Sequence, residues 1–459
     1  MKKITITLLL LLCLGGPHVI RAQVSSFVAG RLQYTLDSVC NKYKIKGTSA
    51  AVLIPNVGIW KGTNGMSEDG VPLSSDMLFG MGSNTKTHIA ATLLKMQEQQ
   101  LLSLDDTIGK WIQGYPNISG QISIRQCLNH TSGLFDYMQN AAINDSIFGM
   151  PEKVWEREKI LQLAQEPNFA PSVSWDYSNT NYIITGIIIE KVLNKSPYDA
   201  IHDLILEPNQ LSHTFNFGEE GEHIYAHPWS MNMDGIMLTN MTTTPFLNNL
   251  FSLANTAGSL ITTAEDNVLF WHKLVTGQII NTQSWKEMTT MKNIGNNNQY
   301  GLGIFRYNRK INGRTAYSHG GTFFGYINEN IVDTTSGVTI AVLTNQDSMN
   351  NDGVLNLVVK ALHKVTLNMP ATSLRESIYN SNNISVYPNP ATNNIQLQID
   401  NQQEIASVRL LDFIGNEISI SIPENNILNV SNVPAGLYVL NIIDNSGMLV
   451  YNQKIQVIH

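Results

Sequence analysis

The stretch Gly82-Ser83-Asn84-Thr85-Lys86-Thr87 holds a serine and a lysine three positions apart. On a helix that spacing puts both side chains on one face, about one turn from each other. A serine hydroxyl is a poor nucleophile until a base takes its proton, and a lysine held neutral by partial burial and neighbouring positive charge can be that base. A helix N-terminus at Ser83 would add a dipole that favours developing negative charge. Ser-x-x-Lys occurs once in the chain, and so short a pattern also describes a helix N-cap followed by a solvated lysine. Tyr177-Ser178-Asn179 offers a phenol that can relay a proton and an amide that can hold a substrate carbonyl. The same spelling stands at Tyr115-Pro116-Asn117 and Tyr326-Ile327-Asn328, so position has to choose: Tyr177 closes a loop just before an apolar helix that would fix it, the alternative being a surface loop tyrosine. The one His-x-Gly, His319-Gly320-Gly321, precedes Thr322 on a strand-like segment. Glycines there permit close approach by a ligand, or equally a bulge with a satisfied histidine. The backbone N–H groups of Ser83 and Thr322 could together stabilise a tetrahedral oxyanion.

These residues need a scaffold. Phe27 to Tyr43 has helical periodicity, Thr48 to Ile54 and Val57 to Trp60 read as two strands about a Pro-Asn turn, and Thr85 to Leu102 reads as the helix that starts at Ser83. Ile122 to Leu211 is mainly helical in pattern, with Ile183 to Val192 apolar on almost every side. Strand-like segments return at Tyr300 to Phe305, Thr315 to Ser318, Glu329 to Val332 and Val338 to Thr344, before a helix over Gly353 to Lys364. Strands at both ends with helices between them predict an α+β domain whose sheet is assembled from both termini. After Val365 the pattern lapses into a polar linker, and short alternating stretches (Ile395 to Ile399, Val408 to Leu411, Leu437 to Ile443) separated by turn residues predict a small all-β module.

The chain has 459 residues, 43% of them hydrophobic and 14% charged, with a formal net charge of -7. That is enough apolar material for a globular core. With 29 Lys+Arg against 36 Asp+Glu, and no basic run beyond the first few residues, nothing supplies the stripe that nucleic-acid binding requires. Met1-Lys2-Lys3, the apolar Ile4 to Leu14, the breaker Gly15-Gly16-Pro17 and small Ala22 read as a secretory signal peptide over residues 1–22, the apolar run being too short for a membrane span. Cys13 would leave with it. Cys40 and Cys127 remain in a compartment where a disulfide can persist, although Cys127 also fits a buried apolar site. The eleven histidines are scattered and no Cys/His cluster has zinc spacing, so no metal or other cofactor is expected.

Taken in order, Ser83-x-x-Lys86, Tyr177-x-Asn179 and His319-Gly320-Gly321 resemble the three motifs of the serine β-lactamases and penicillin-recognising enzymes, in particular the group of class C β-lactamases, D-alanyl-D-alanine carboxypeptidases and esterases. Asn129-His130-Thr131-Ser132-Gly133-Leu134, Ala257-Gly258-Ser259-Leu260, Tyr300-Gly301-Leu302-Gly303 and Leu343-Thr344-Asn345 look like secondary markers of that group. The resemblance implies a β-lactamase/transpeptidase-like fold over residues 23–365: an antiparallel sheet flanked by helices, an all-helical subdomain, and a cleft between them. It makes Ser83 the nucleophile, gives Lys86 and Tyr177 the general base and acid duties, and assigns substrate binding to Asn179, His319, Gly320 and Gly321. Which of Lys86 and Tyr177 takes the first proton stays open, and His130 belongs to a segment that looks structural. Most β-lactamases carry Lys-Thr-Gly at the third motif, whereas His319 would be mostly neutral at neutral pH. That shifts the expectation from penicillins toward esters, amides or D-amino-acid peptides, with peptidoglycan-related substrates, a carboxypeptidase or a β-lactamase as the alternatives within the fold. A non-catalytic binding protein on the same scaffold is the alternative of another class.

Past a linker at 366–384, Val386-Tyr387-Pro388-Asn389-Pro390-Ala391, Leu411-Asp412-Phe413-Ile414-Gly415, Pro434-Ala435-Gly436-Leu437-Tyr438 and the terminal Lys454-Ile455 resemble a type IX secretion C-terminal sorting domain over 385–459. That resemblance implies the type IX secretion machinery as a partner and a location on the outer cell surface or outside the cell, reached through the periplasm, with no transmembrane anchor in the mature chain. A generic β-sandwich binding module is the other reading of the same composition.

Overall fold

Gly47–Ile54 is buried along its whole length because helices cover both faces of the sheet it belongs to. The computed structural model describes residues 24–150, 152–218, 223–231, 238–240, 247–347, 351–367, 384–399, 405–412, 417–418, 426–444 and 449–459. The signal peptide expected at 1–22 and most of the linker expected at 366–384 lie outside the described residues.

The main sheet is antiparallel throughout and runs Val71–Pro72, Gly58–Glu68, Gly47–Ile54, Thr339–Thr344, Tyr326–Asp333, Arg314–Ser318, Phe305–Ile311, Asn298–Tyr300, Lys292–Asn293, with Gly321–Phe323 pairing Tyr326–Asp333 beside that path. Its central register sets Ala50 opposite both Gly62 and Val342. The two-residue alternation of a strand divides the core in two. Ala50, Val52 and Ile54 face the pair of helices Ser26–Tyr43 and Asn351–Leu367 through Leu32, Leu36, Val358 and Leu362. Ala51 and Leu53 face the other way, into the larger core that contains Val268 and Trp271 of the helix Ala264–Val275.

That larger core extends into the helical subdomain. Thr180–Leu193 is buried over most of its surface, as its unbroken apolar run requires. Helices between residues 122 and 211 are shorter than their pattern suggests: Ile124–Leu128, Ala142–Gly149, Arg157–Leu161 and Pro197–Ile201 are joined by long irregular segments. The strand expected over Tyr300 to Phe305 is broken, one strand ending at Tyr300 and the next starting at Phe305. Gly303, at φ +66°, makes the turn between them, and its carbonyl accepts a hydrogen bond from Thr87 Oγ1 at 2.7 Å, which docks the turn on the helix Thr85–Glu98. Cys40 and Cys127 are both free thiols, each buried in a different half of the core, so the pairing left open from sequence does not occur.

The C-terminal residues form two small antiparallel sheets, Ile384–Tyr387/Asn394–Ile399/Ile427–Asn429 and Glu417–Ile418/Ile405–Leu411/Gly436–Asp444/Leu449–Val457. They have their own core, with Ile395, Leu397, Leu410, Leu440, Ile442 and Ile455 fully buried. Among the described residues no helix is long and apolar enough to cross a membrane.

Candidate active site

Ser83 sits on a single 3-10 turn, Gly82–Asn84, that runs directly into the helix Thr85–Glu98. Three buried contacts fix the turn: Asn84 Nδ2 donates to Asn267 Oδ1 at 3.1 Å, Trp271 Nε1 donates to Asn84 Oδ1 at 3.2 Å, and the Leu260 amide donates to Thr85 Oγ1 at 3.2 Å. Gly82 adopts φ +50°, and a Cβ there would lie 2.6 Å from the Thr322 carbonyl oxygen. The backbones carrying Ser83 and Thr322 are therefore in direct contact.

Lys86 is fully buried one turn along the helix. Its Nζ lies 2.8 Å from Asn179 Oδ1, 2.7 Å from the Ala257 carbonyl and 3.2 Å from Ser83 Oγ. A neutral amine has two N–H donors and one lone pair. The two carbonyl oxygens can only accept, so they take both donors and leave the lone pair for the Ser83 hydroxyl. Burial pushes the Lys86 pKa down to about 7, with the carboxylate of Asp136 pulling it back up. The lysine is thereby poised to exchange a proton near neutrality.

Asp136 is the residue the sequence reading missed. It is buried, and burial raises its carboxyl above the usual carboxylate range. Asn179 Nδ2 donates to both of its oxygens, at 2.9 and 3.2 Å, which also fixes which end of the Asn179 amide faces Lys86. A sequence signal existed: Asp136 is the single charged side chain between Arg125 and Asp145, set in the otherwise apolar Leu134-Phe135-Asp136-Tyr137.

The Tyr177 hydroxyl is buried and directed at Ser83, which eases its ionisation, but the pair does not close to hydrogen-bond geometry and the oxygen has no other partner. Burial dominates and pushes the phenol far above its ordinary pKa, so Tyr177 is protonated. Its ring centroid lies 4.3 Å from that of His130, and Lys86 Nζ is 4.9 Å from the ring centre. His130, at φ +60°, is itself held because its Nδ1 accepts from the Ser178 amide at 3.2 Å and from Asn181 Nδ2 at 3.1 Å.

His319 follows the strand Arg314–Ser318, and Gly320 separates it from the next, Gly321–Phe323. The imidazole is buried, with Nδ1 2.7 Å from the Gly320 carbonyl and Nε2 3.2 Å from the Tyr300 hydroxyl. Nδ1 must donate to the carbonyl, so Nε2 accepts and the ring is neutral; burial lowers its pKa to about 3. The tight approach at Gly321 is to the protein's own backbone: a Cβ there would sit 1.8 Å from the Met81 carbonyl, just ahead of Ser83.

A cleft of about 270 Å³ opens on Ser83. Asn179, Thr322, Tyr137, Met138, Leu250, Leu253, Ala257, Phe323, Phe324 and Asp347 line it, while His319, Gly320 and Gly321 stand behind its wall. The structure thus brings Ser83, Lys86, Tyr177, Asn179 and Thr322 together, and sets the histidine and its two glycines one layer back. Elsewhere, His202, Asp203 and Glu207 cluster on an exposed face, where Lys195 already holds Asp203 at 2.6 Å.

Comparison with known proteins gives a consistent result. The model of the family described as Beta-lactamase matches residues 21–363, and that described as secretion system C-terminal sorting domain matches residues 385–458. A penicillin-binding protein of Bacillus subtilis is 28% identical over 194 residues, 40% of this chain and 40% of its own length. A second one from the same organism, PbpX, is 26% identical over 276 residues, 59% of this chain and 62% of its own. The chain therefore spans less than two thirds of either relative. Among solved structures, a D-stereospecific amidohydrolase from Streptomyces sp. superposes with a TM-score of 0.64 at 26% identity, covering 72% of this chain and 98% of that one.

Proposed function

Since the chain belongs to the beta-lactamase family and ends in a secretion system C-terminal sorting domain, we propose that it is an exported serine hydrolase that cleaves an ester or amide through an acyl-enzyme on Ser83. The observation that carries this reading is the pair of carbonyl oxygens, Asn179 Oδ1 and Ala257 O, that occupy the Lys86 donors and turn its lone pair on Ser83 Oγ. Lys86 takes the Ser83 proton as Oγ attacks the substrate carbonyl. The amides of Ser83 and Thr322 receive the negative charge, and Asn179 orients the acyl group. As the C–N or C–O bond breaks, a proton passes from Lys86, by way of the Tyr177 hydroxyl, to the leaving group. Water, deprotonated by the same lysine, then attacks the ester and returns the proton to Ser83. Tyr177 starts protonated, which favours Lys86 as the first base.

The neutral His319 and a cleft lining that holds no cation among the described residues speak for uncharged or cationic substrates over penicillins and peptides with a free carboxylate. The tail supports delivery by the type IX secretion machinery to the cell surface or beyond. The test is intact-protein mass spectrometry after a fluorophosphonate and, separately, a penicillin, with Ser83→Ala as control. A fluorophosphonate adduct lost in the variant supports the hydrolase; no adduct with either reagent leaves a binding protein on a hydrolase scaffold. Rapid hydrolysis of a penicillin adduct would instead make it a β-lactamase.

A further inference from the structure

The cleft is almost entirely apolar, and its one charged lining residue among those described is an acid. Phe323 is held rigidly in its wall: its ring lies 4.1 Å from that of Phe251, which stacks on Phe217 at 3.7 Å. At the same wall Asp347 presents a carboxylate to the cleft. Oδ2 accepts from the Gly325 amide at 2.7 Å and from Ser230 Oγ at 2.8 Å, and the Asp347 amide donates to the Trp229 carbonyl at 3.1 Å. The first two bonds fix the side chain and the third fixes its backbone, but both donors to the carboxylate are neutral, so the charge itself is not balanced. Burial accordingly pushes its pKa up. Among the described residues no cation is in contact with it. Lys86 has its Nζ engaged by Ser83, Asn179 and Ala257, and Lys46, beyond Trp229, is bound to Asp69 at 2.7 Å.

The sequence brings no balancing cation from the neighbouring segment. From Ser196 to His272, which supplies Leu250, Leu253 and Ala257 to the cleft, there is no lysine or arginine. Ser348-Met349-Asn350, which follows Asp347, adds no cation either. A half-buried, geometrically fixed carboxylate whose donors are all neutral, beside a rigid aromatic surface, is stabilised by a ligand that brings the opposite charge.

We propose that the cleft takes an acyl donor bearing a positive charge beside an apolar side chain, an amide or ester of an amino acid with a free ammonium group, and that Asp347 holds that ammonium. This rests on the reading of Ser83 as an acylated nucleophile. An ammonium at the Asp347 carboxylate makes a charge-assisted hydrogen bond in a partly dehydrated site, while the side chain lies on Phe323 and the carbonyl reaches Ser83.

The test measures protection of Ser83 from fluorophosphonate labelling in the full-length mature chain, which needs no turnover. Phenylalaninamide should protect at roughly tenfold or more lower concentration than 3-phenylpropanamide, which has the same ring and amide without the ammonium. Asp347→Asn should bring the two concentrations together. Ser230→Ala, which removes a hydrogen bond from the carboxylate but keeps its charge, should preserve the preference, whereas a purely structural Asp347 would be damaged by both changes. Equal protection by the two amides in the wild type, or a preference that survives Asp347→Asn, overturns the proposal while leaving the labelled nucleophile intact. Absence of any labelling of Ser83 overturns the underlying reading and the proposal with it.

Discussion

Asp136 and Lys86 do not touch, yet a single amide joins them: Asn179 donates through Nδ2 to both carboxylate oxygens and accepts through Oδ1 from Lys86 Nζ at 2.8 Å. The negative charge therefore acts on the lysine at one remove, raising its proton affinity while burial lowers it.

The first prediction is a pH profile. If neutral Lys86 is the base, the rate of Ser83 labelling rises with pH through a midpoint near 7 and then stays level, because Tyr177 ionises only at much higher pH. His130 and His319 contribute no step there, since burial holds both imidazoles neutral. Asp136→Asn removes the charge that favours the ammonium, so the midpoint should move down by about one pH unit. A midpoint that moves upward would exclude the proposed coupling.

Lys86→Met keeps the volume of the buried side chain and removes the amine. Labelling should fall roughly 10²–10⁴-fold, the usual loss for a general base, with circular dichroism unchanged. Full reactivity in this variant would transfer the base role to another group.

His319 should be silent to acid over the physiological range. Its pKa near 3 means that the imidazole carbon resonances of a labelled sample stay still between pH 8 and 5. A titration centred near 6 would mean that the ring is free to charge and could grip a carboxylate after all.

Gly321 and Gly320 should differ when each is changed to alanine. At Gly321 the new methyl would lie 1.8 Å from the Met81 carbonyl, so the turn bearing Ser83 must move; a loss of about 1–3 kcal/mol in thermal or urea unfolding and a sharp drop in labelling are expected. At Gly320 the nearest atoms are at 3.0 Å, the Asn328 carbonyl and a Glu329 carboxylate oxygen, and a smaller effect on both readouts should follow.

What could be read from sequence was whatever repeats or lies close in the chain. The apolar run after Asn179 forms the buried helix Thr180–Leu193, and Ser83 falls on the turn that opens Thr85–Glu98. Between residues 129 and 141 periodicity misleads, because there the backbone is held by side chains: Asn129 Oδ1 receives the Thr131 amide, Ser132 Oγ reaches Asn181, and Asp136 caps the Met138 amide. Such local bonds leave no periodic trace. The Ala257 carbonyl that shares Lys86 could not be foreseen either, since a backbone acceptor has no residue type. Asp347 becomes visible only when Phe323 and Phe324 are seen beside it.

The pairing of Gly47–Ile54 with Thr339–Thr344, locked by Thr344 Oγ1 donating to the Gly47 carbonyl across 297 positions, has a consequence in time. A chain still being synthesised holds Ser83, Lys86, Tyr177 and Asn179 long before Thr339 leaves the ribosome. Until then the first strand has no partner on that side, and the cleft at Ser83 lacks the Asp347 wall that follows Thr344. The sheet behind the cleft closes late, by strands that must find each other over most of the domain, a search that slows as their separation along the chain grows. Any fragment that stops short of Thr339, whether nascent or clipped, carries Ser83 and Lys86 without the strand that closes the sheet behind them.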